Sequence, residues 1–291
     1  MIDTHAHYSL KRYEQYFRWL ASDGEAFSVQ EGNFETLLAS MREAGITAAV
    51  EPSVHMSQNR HLLDFCAAHP DFLYPAIGVH PTRTPFADWS QREELAQHAA
   101  EPRVVAIGEA GLDYHLNPDA EAVQMQKKWF TYQIELAHGL KLPLILHIRG
   151  ADEDALEILH RYRRNLHGGV VHCYAGDWET ARRYMELGLC LGIGGSLLQT
   201  ERQEVLVDTV RQMPAEGILL ETDAPCVLPF GRERIKAGKI DNVRNSSLIL
   251  PAVLRKIAEL RGLSYTEAER ITTQNAERLF PAVFSKPVSA P

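Results

Sequence analysis

The sequence predicts an α/β fold: a (β/α)8 barrel, single-domain, with additional C-terminal helices. Three observations point there. Eight short β-rich runs alternate with longer helical patterns along the 291 residues. The length is near the ~250 residues of a typical barrel of this kind. Continuous apolar runs such as Leu144-Ile145-Leu146 suit parallel strands covered on both faces. A doubly wound open sheet is the alternative arrangement of the same units.

The strands are expected at 2–4, 47–51, 74–79, 104–108, 144–146, 170–172, 190–193 and 218–221. Helices are expected between them near 34–44, 57–69, 90–100, 119–141, 151–164, 177–187 and 201–213. Two more follow near 246–262 and 265–279. Asn33 can cap the first helix, and Gly45 follows its end. Ser264 with Glu267 reads as a capping box for the last one. The segment from Tyr8 to Gly32 carries Tyr13, Tyr16 and Phe17 at helical spacing, with Lys11, Arg12 and Arg18 nearby. A short amphipathic helix packing on the barrel is expected there, with a base-stacking platform or lid as the alternative. Residues 1–280 read as one domain, and the Pro-containing stretch 281–291 as a flexible C-terminal tail.

Composition narrows the function classes. Hydrophobic residues make up 45% and charged residues 23%, which excludes disordered, collagen-like and coiled-coil chains. The net charge of −8 argues against a basic coat for nucleic acid but leaves room for a local basic patch. Such a patch is visible at 224–244, where Arg232, Arg234, Lys236, Lys239 and Arg244 face only Glu233 and Asp241. The four cysteines, Cys66, Cys173, Cys190 and Cys226, show no CxxC spacing. That excludes a zinc knuckle and a redox motif and fits a reducing cytoplasm. No apolar run reaches the ~18 residues of a membrane span. The first strand begins at Ile2, which leaves no room for a signal peptide. No obligate protein partner is expected.

The chemistry-bearing residues gather at strand ends. His5 and His7 close the first strand and, in extended backbone, point to one side. Glu109 follows the fourth strand, His147 the fifth and Asp223 the eighth, while His172 closes the sixth. In a parallel barrel these ends meet at one mouth, where such enzymes keep their sites. Four histidines and two carboxylates exceed the usual ligand set of one metal. Two divalent ions ~3.5–4 Å apart would share them, with a carboxylate as bridge. Imidazole-rich ligation favours Zn, Mn, Co or Ni over Mg.

These stretches together resemble the TatD family of metal-dependent deoxyribonucleases, within the wider amidohydrolase-like TIM barrels. The resemblance rests on Ile2-Asp3-Thr4-His5-Ala6-His7, Ile77-Gly78-Val79-His80-Pro81 and Gly108-Glu109-Ala110-Gly111-Leu112-Asp113-Tyr114. It continues in Pro143-Leu144-Ile145-Leu146-His147-Ile148-Arg149, His172-Cys173-Tyr174-Ala175-Gly176 and Glu221-Thr222-Asp223-Ala224-Pro225. They run in family order across residues 2–225. The resemblance implies hydrolysis of phosphodiester bonds in DNA, single-stranded or at ends. It further implies that His5, His7 and Asp223 hold one metal, His147 and His172 the other, and that Glu109 bridges. Two departures stand out. The Tyr8–Gly32 segment is longer than the family's loop, and Asn245-Ser246-Ser247 stands where the family often has Asn-Glu-Pro.

Further residues have roles to test. Asp223 is expected as proton acceptor for the attacking water. Arg149, two residues after His147, can face the mouth and hold phosphate oxygens; an ion pair with Glu153 is its structural alternative. His80 and Arg244 are further substrate contacts. Asp113 and Glu221 are expected to orient the ligands from behind. An amidohydrolase or lactonase on the same barrel is the competing function. Such sites often bridge their metals with a modified lysine on the fourth strand, where this chain has Glu109. A metal-free scaffold would lack ligands that are all present.

Overall fold

The computed structural model describes residues 1–10, 15–199, 203–230 and 242–284. In chain order, β1 (Ile2–Asp3) is followed by β2 (Phe17–Ser22), β3 (Phe27–Gly32), α1 (Phe34–Glu43), β4 (Ala48–Pro52) and α2 (Asn59–Ala68). Next come β5 (Leu73–Ile77), α3 (Arg92–Ala99), β6 (Ala106–Asp113), α4 (Ala120–Leu140), β7 (Leu144–Arg149) and α5 (Asp152–Arg161). The second half holds β8 (Gly169–Val171), α6 (Trp178–Glu186), β9 (Leu189–Ile193), α7 (Gln203–Gln212) and β10 (Ile218–Leu220). After β11 (Val243–Arg244) the chain ends in α8 (Leu250–Arg261), α9 (Tyr265–Leu279) and α10 (Pro281–Phe284).

Eight strands pair in parallel in the order β1-β4-β5-β6-β7-β8-β9-β10. The seam between first and last closes through backbone bonds. Thr4 N–H donates to Leu220 O at 2.9 Å, and His7 N–H to Ala224 O at 2.7 Å. A parallel bridge joins Ala6 and Ala224. This closure is what separates a barrel from the doubly wound alternative. Ile2, Val50, Ala76, Ala106, Ile145, Val170, Cys190 and Leu219, one from each strand, form a single packed cluster and fill the barrel interior. The main core lies outside it, between strands and helices, with Trp129, Phe130 and Ile134 of α4 fully buried.

The helix starts follow the expected chemistry. Asn33 Oδ1 accepts from Thr36 N–H at 3.0 Å, and Ser264 Oγ from Glu267 N–H at 3.2 Å. Each satisfies one of the donors a first helical turn leaves open.

Three expectations need correction. The Tyr8–Gly32 segment builds no helix among its described residues; it forms the antiparallel hairpin β2–β3. Its burial follows period two at the start, with Phe17 and Trp19 inward and Arg18 outward. Asp23 makes the turn by accepting from the N–H groups of Glu25 and Ala26, both at 2.8 Å. Tyr16 is exposed, Phe17 packs from the strand, and Tyr13 lies outside the described residues. β11 then pairs with β2, making a three-stranded sheet beside the barrel.

The fourth barrel strand is the second correction. It runs on to Asp113, so Glu109 lies within it rather than after it. Gly111 there has φ +141°, and an added Cβ would collide with the His147 carbonyl of β7. A glycine that looks like a strand end is a close approach between strands. The third concerns the tail. Residues 281–284 form α10, and Val283 packs with Phe280 and Ala276 against the interior cluster. Residues 285–291 lie outside the described part, as do Lys11, Arg12, Arg232, Glu233, Arg234, Lys236, Lys239 and Asp241 of the expected basic segments.

Candidate active site

The carboxyl ends of the strands bring His5, His7, Glu109, His147, His172 and Asp223 into one cleft. The cleft measures about 620 Å³, and His80, Arg83, His55 and Gln58 also line it. Glu109 sits at the centre, almost fully buried. Its Oε1 lies 2.7 Å from His5 Nε2, 3.3 Å from His7 Nε2 and 3.9 Å from His172 Nε2. Its Oε2 lies 3.3 Å from His80 Nε2. Asp223 Oδ1 completes one side, 3.4 Å from His7 and 3.7 Å from His5.

Hydrogen bonds fix which nitrogen three of the imidazoles turn inward. His7 Nδ1 is 3.0 Å from Pro52 O, a carbonyl that can only accept. Nδ1 therefore carries a proton, and Nε2 is the nitrogen turned towards Glu109 and His5. His147 is turned the other way. Its Nε2 lies 2.9 Å from Asp113 Oδ2, so Nε2 donates and Nδ1 faces His172 Nε2 at 3.0 Å. His80 differs from both. Its Nδ1 accepts from Thr82 N–H at 3.2 Å, which places its proton on Nε2, aimed at Glu109. By distance His80 joins the cluster; by tautomer it is a donor.

The charges match this arrangement. Burial works against the Glu109 carboxylate, yet the imidazoles of His5, His80 and His172 hold its pKa well below the usual range. Burial would also neutralise His7, but Asp223 and Glu109 outweigh it and hold its pKa well above that of an ordinary imidazole. Burial and neighbouring His5 push His172 well down, and burial brings His80 to about 4. Cationic charge is thus favoured beside Glu109 and Asp223.

The donor set fits divalent cations. His5 Nε2 and His7 Nε2 stand 3.1 Å apart, and His147 Nδ1 and His172 Nε2 stand 3.0 Å apart. Two lone pairs at that distance repel unless a proton or a cation lies between them. Glu109 reaches both couples. His172 belongs partly to each side, since its ring also stacks on His5 with centroids 3.9 Å apart.

Outer partners hold these ligands. Asp113 is fixed by a buried amide clamp: its N–H donates to Gln126 Oε1 at 2.8 Å, and Gln126 Nε2 donates to its carbonyl at 3.1 Å. Gln133, seven residues further on α4, grips Val79 the same way, at 2.8 and 3.2 Å. Seven residues are two helical turns, so both amides face the barrel together. Burial first, then the charge of Asp223, raises the pKa of Glu221 well above normal. Its Oε1 accepts from Cys173 N–H at 2.5 Å and lies 4.0 Å from His172. Asp223 adopts left-handed backbone (φ +53°), which Asp tolerates better than most residues.

At the seam, Asp3 Oδ2 accepts from Thr222 Oγ1 and Ser247 Oγ, both at 2.6 Å. Tyr8 O–H donates in turn to Ser247 Oγ at 2.6 Å and accepts from Ser247 N–H at 2.8 Å. A proline at 247 would lack that N–H. The departure Asn245-Ser246-Ser247 therefore carries its own network. The clamp glutamines and Asp3 were not singled out as site residues from the sequence. Two glutamines seven apart on the face that also carries Phe130 were the available signal.

Arg149 ends β7, exposed and in register with Asp113. Glu153, its alternative partner, binds Arg183 instead at 2.9 Å. Arg244 lies over the Phe17 ring, 4.8 Å from its centroid.

A closed parallel barrel with imidazoles and carboxylates at its mouth defines a metal-dependent hydrolase. Comparisons with known proteins give the family. A family model described as TatD related DNase matches residues 2–281. A Rahnella protein named 3'-5' ssDNA/RNA exonuclease TatD is 35% identical over 241 residues, covering 82% of this chain and 89% of its own length. The Bacillus subtilis protein named uncharacterized metal-dependent hydrolase YabD is 32% identical, covering 96% and 98%. The solved structure of the Escherichia coli TatD homologue YJJV superposes with a TM-score of 0.78 at 26% identity, covering 97% and 98%. The chain belongs to the TatD related DNase family and is a hydrolytic, metal-dependent nuclease. Among the described residues no helix is long and apolar enough to cross a membrane.

Proposed function

We propose that this nuclease removes nucleotides from the ends of single-stranded DNA, using two divalent cations that share Glu109. One observation carries the reading: two imidazole couples, 3.1 and 3.0 Å apart, flank one buried carboxylate. In this reading His5, His7 and Asp223 hold one cation, and His147 and His172 the other. The imidazole-rich set favours Zn, Mn, Co or Ni over Mg. Bound there, the cations polarise the phosphoryl oxygen and meet the negative charge that develops on it.

The chain's own residues do the rest. Pro52 O and Asp113 keep His7 and His147 turned inward, so little reorganisation is needed. Asp223, at the cleft surface, accepts the proton of the attacking water. His80 donates from Nε2 to a phosphoryl oxygen. Arg149 is a bidentate phosphate contact, and Arg244 a further one from the sheet beside the mouth. A cleft of about 620 Å³ suits a nucleotide or two rather than a duplex. The Rahnella relative's printed name agrees with a single-stranded substrate. Four free cysteines fit action in a reducing cytoplasm.

The test is one metal-dependent assay across single-stranded DNA, duplex DNA, RNA and small esters. Turnover should be fastest on single strands, vanish with a chelator and return with Mn. Turnover of amides or lactones with none on phosphodiesters would overturn the reading.

A further inference from the structure

Beyond β5 the chain enters a short 3-10 helix, Pro81–Phe86, with His80 as its N-cap. In such a helix side chains three apart lie in line. One line is anchored: Pro81 and Thr84 are buried, and Thr84 Oγ1 donates to Pro81 O at 2.8 Å. The next line is His80, Arg83 and Phe86. His80 faces Glu109, and Arg83 lines the same cleft. Arg83 is exposed and makes no ion pair among the described residues. Phe86 is 77% exposed, an unusual state for a phenylalanine. Leu116, 80% exposed, lies just past the end of β6, the strand paired with β5. The arm is held from behind, because Gln133 clamps Val79 at its root.

We propose that this arm reads the substrate strand: Arg83 grips a backbone phosphate and Phe86 stacks on an unpaired base beyond the cleaved bond. The inference rests on the proposed single-strand activity and names the residues that select it. An unpaired cation next to the reaction centre suits a phosphate. An exposed ring in line with it suits a base, and stacking needs a base free of its partner strand. The rise of ~2.0 Å per residue sets Phe86 roughly 12 Å along the arm from His80, outside the chemistry.

Two measurements on the full chain test this. In the first, kcat/KM is compared between a single-stranded oligonucleotide and methyl p-nitrophenyl phosphate. Phe86→Ala should lower the oligonucleotide-to-diester ratio by about 5- to 150-fold, the range for losing one base-stacking contact. Phe86→Trp should keep the ratio. Arg83→Gln should raise KM for the oligonucleotide and reduce the slope of log affinity against log salt by about 0.7. In the second, the chelator-treated protein is titrated against an oligonucleotide carrying 2-aminopurine near its 3' end. Quenching in the wild type and its loss in Phe86→Ala would support stacking whether or not hydrolysis is seen. An absence of turnover with quenching intact would fault the proposed activity alone. A ratio, salt slope and quenching that all stay unchanged in the variants would overturn the arm.

Discussion

The two sides of the site present similar donors but are supported in different ways. At the seam, a buried carboxylate, Asp3, accepts from the N–H of His5 and from hydroxyls of Thr222 and Ser247, with Tyr8 behind Ser247; Asp223 N–H donates to His5 O, and Pro52 O holds His7. On the β6–β7 side, His147 rests on Asp113, and Asp113 on an amide clamp from α4. The seam is where the barrel closes on itself, joining residues more than 200 positions apart in sequence. The other side joins neighbouring strands and the helix between them. Closing a seam and aiming a ligand there use one network; on the far side aiming is separate from closure. The two supports should therefore fail differently.

The largest effect should come from the residue both sides share. Glu109→Ala should lower metal content on both sides and cut turnover by more than ~10³-fold, beyond the loss of one charge-stabilising group. Circular dichroism should show the barrel intact, since Glu109 faces the cleft. Retention of full metal content would break the comparison at its centre.

Next is Asp223→Asn. The amide keeps its shape and an oxygen but is a poor base. Metal should largely remain while kcat falls at least ~10²-fold. Were Asp223 only a cap for the loop before Pro225, Asn would serve as well, and kcat would stay within a few-fold of wild type.

Asp113→Ala should act on one side alone. Metal affinity there should weaken ~10–100-fold, with a tight site remaining at the seam. A titration showing equal weakening of both sites would remove the distinction. Smallest is Ser247→Ala, which leaves Asp3 short of one hydrogen bond. It should lower stability by about 1–3 kcal/mol in urea unfolding and, because one network serves both, weaken metal affinity at the seam with it. A large loss of metal without a loss of stability would reverse the roles assigned to the seam.

Much of this was legible in the sequence because it depends on alternation and strand ends. Leu144-Ile145-Leu146 reads as an apolar strand and forms one, although β7 runs on to Arg149, so that His147 lies within the strand rather than after it. What was hidden depends on contacts far apart in sequence. Gly108 and Gly111 look like breakers, yet β6 runs through both because β7 comes too close for a side chain. Helical spacing suggests a helix at Phe17, while the alternation of Phe17 with Trp19 decides for a strand only once the barrel offers a surface. The Asp3–Ser247 pairing spans 244 residues and leaves no local pattern. His80 could be placed at the mouth, but its tautomer follows from Thr82, which no spacing rule points to.

The central claim is that Glu109 is shared by two cations. The direct measurement is Mn titration followed by electron paramagnetic resonance on wild type and His147→Ala. Two ions per chain with an exchange-coupled spectrum, reduced to one uncoupled ion in the variant, is the predicted result. A fully active wild type that binds a single uncoupled ion would contradict it.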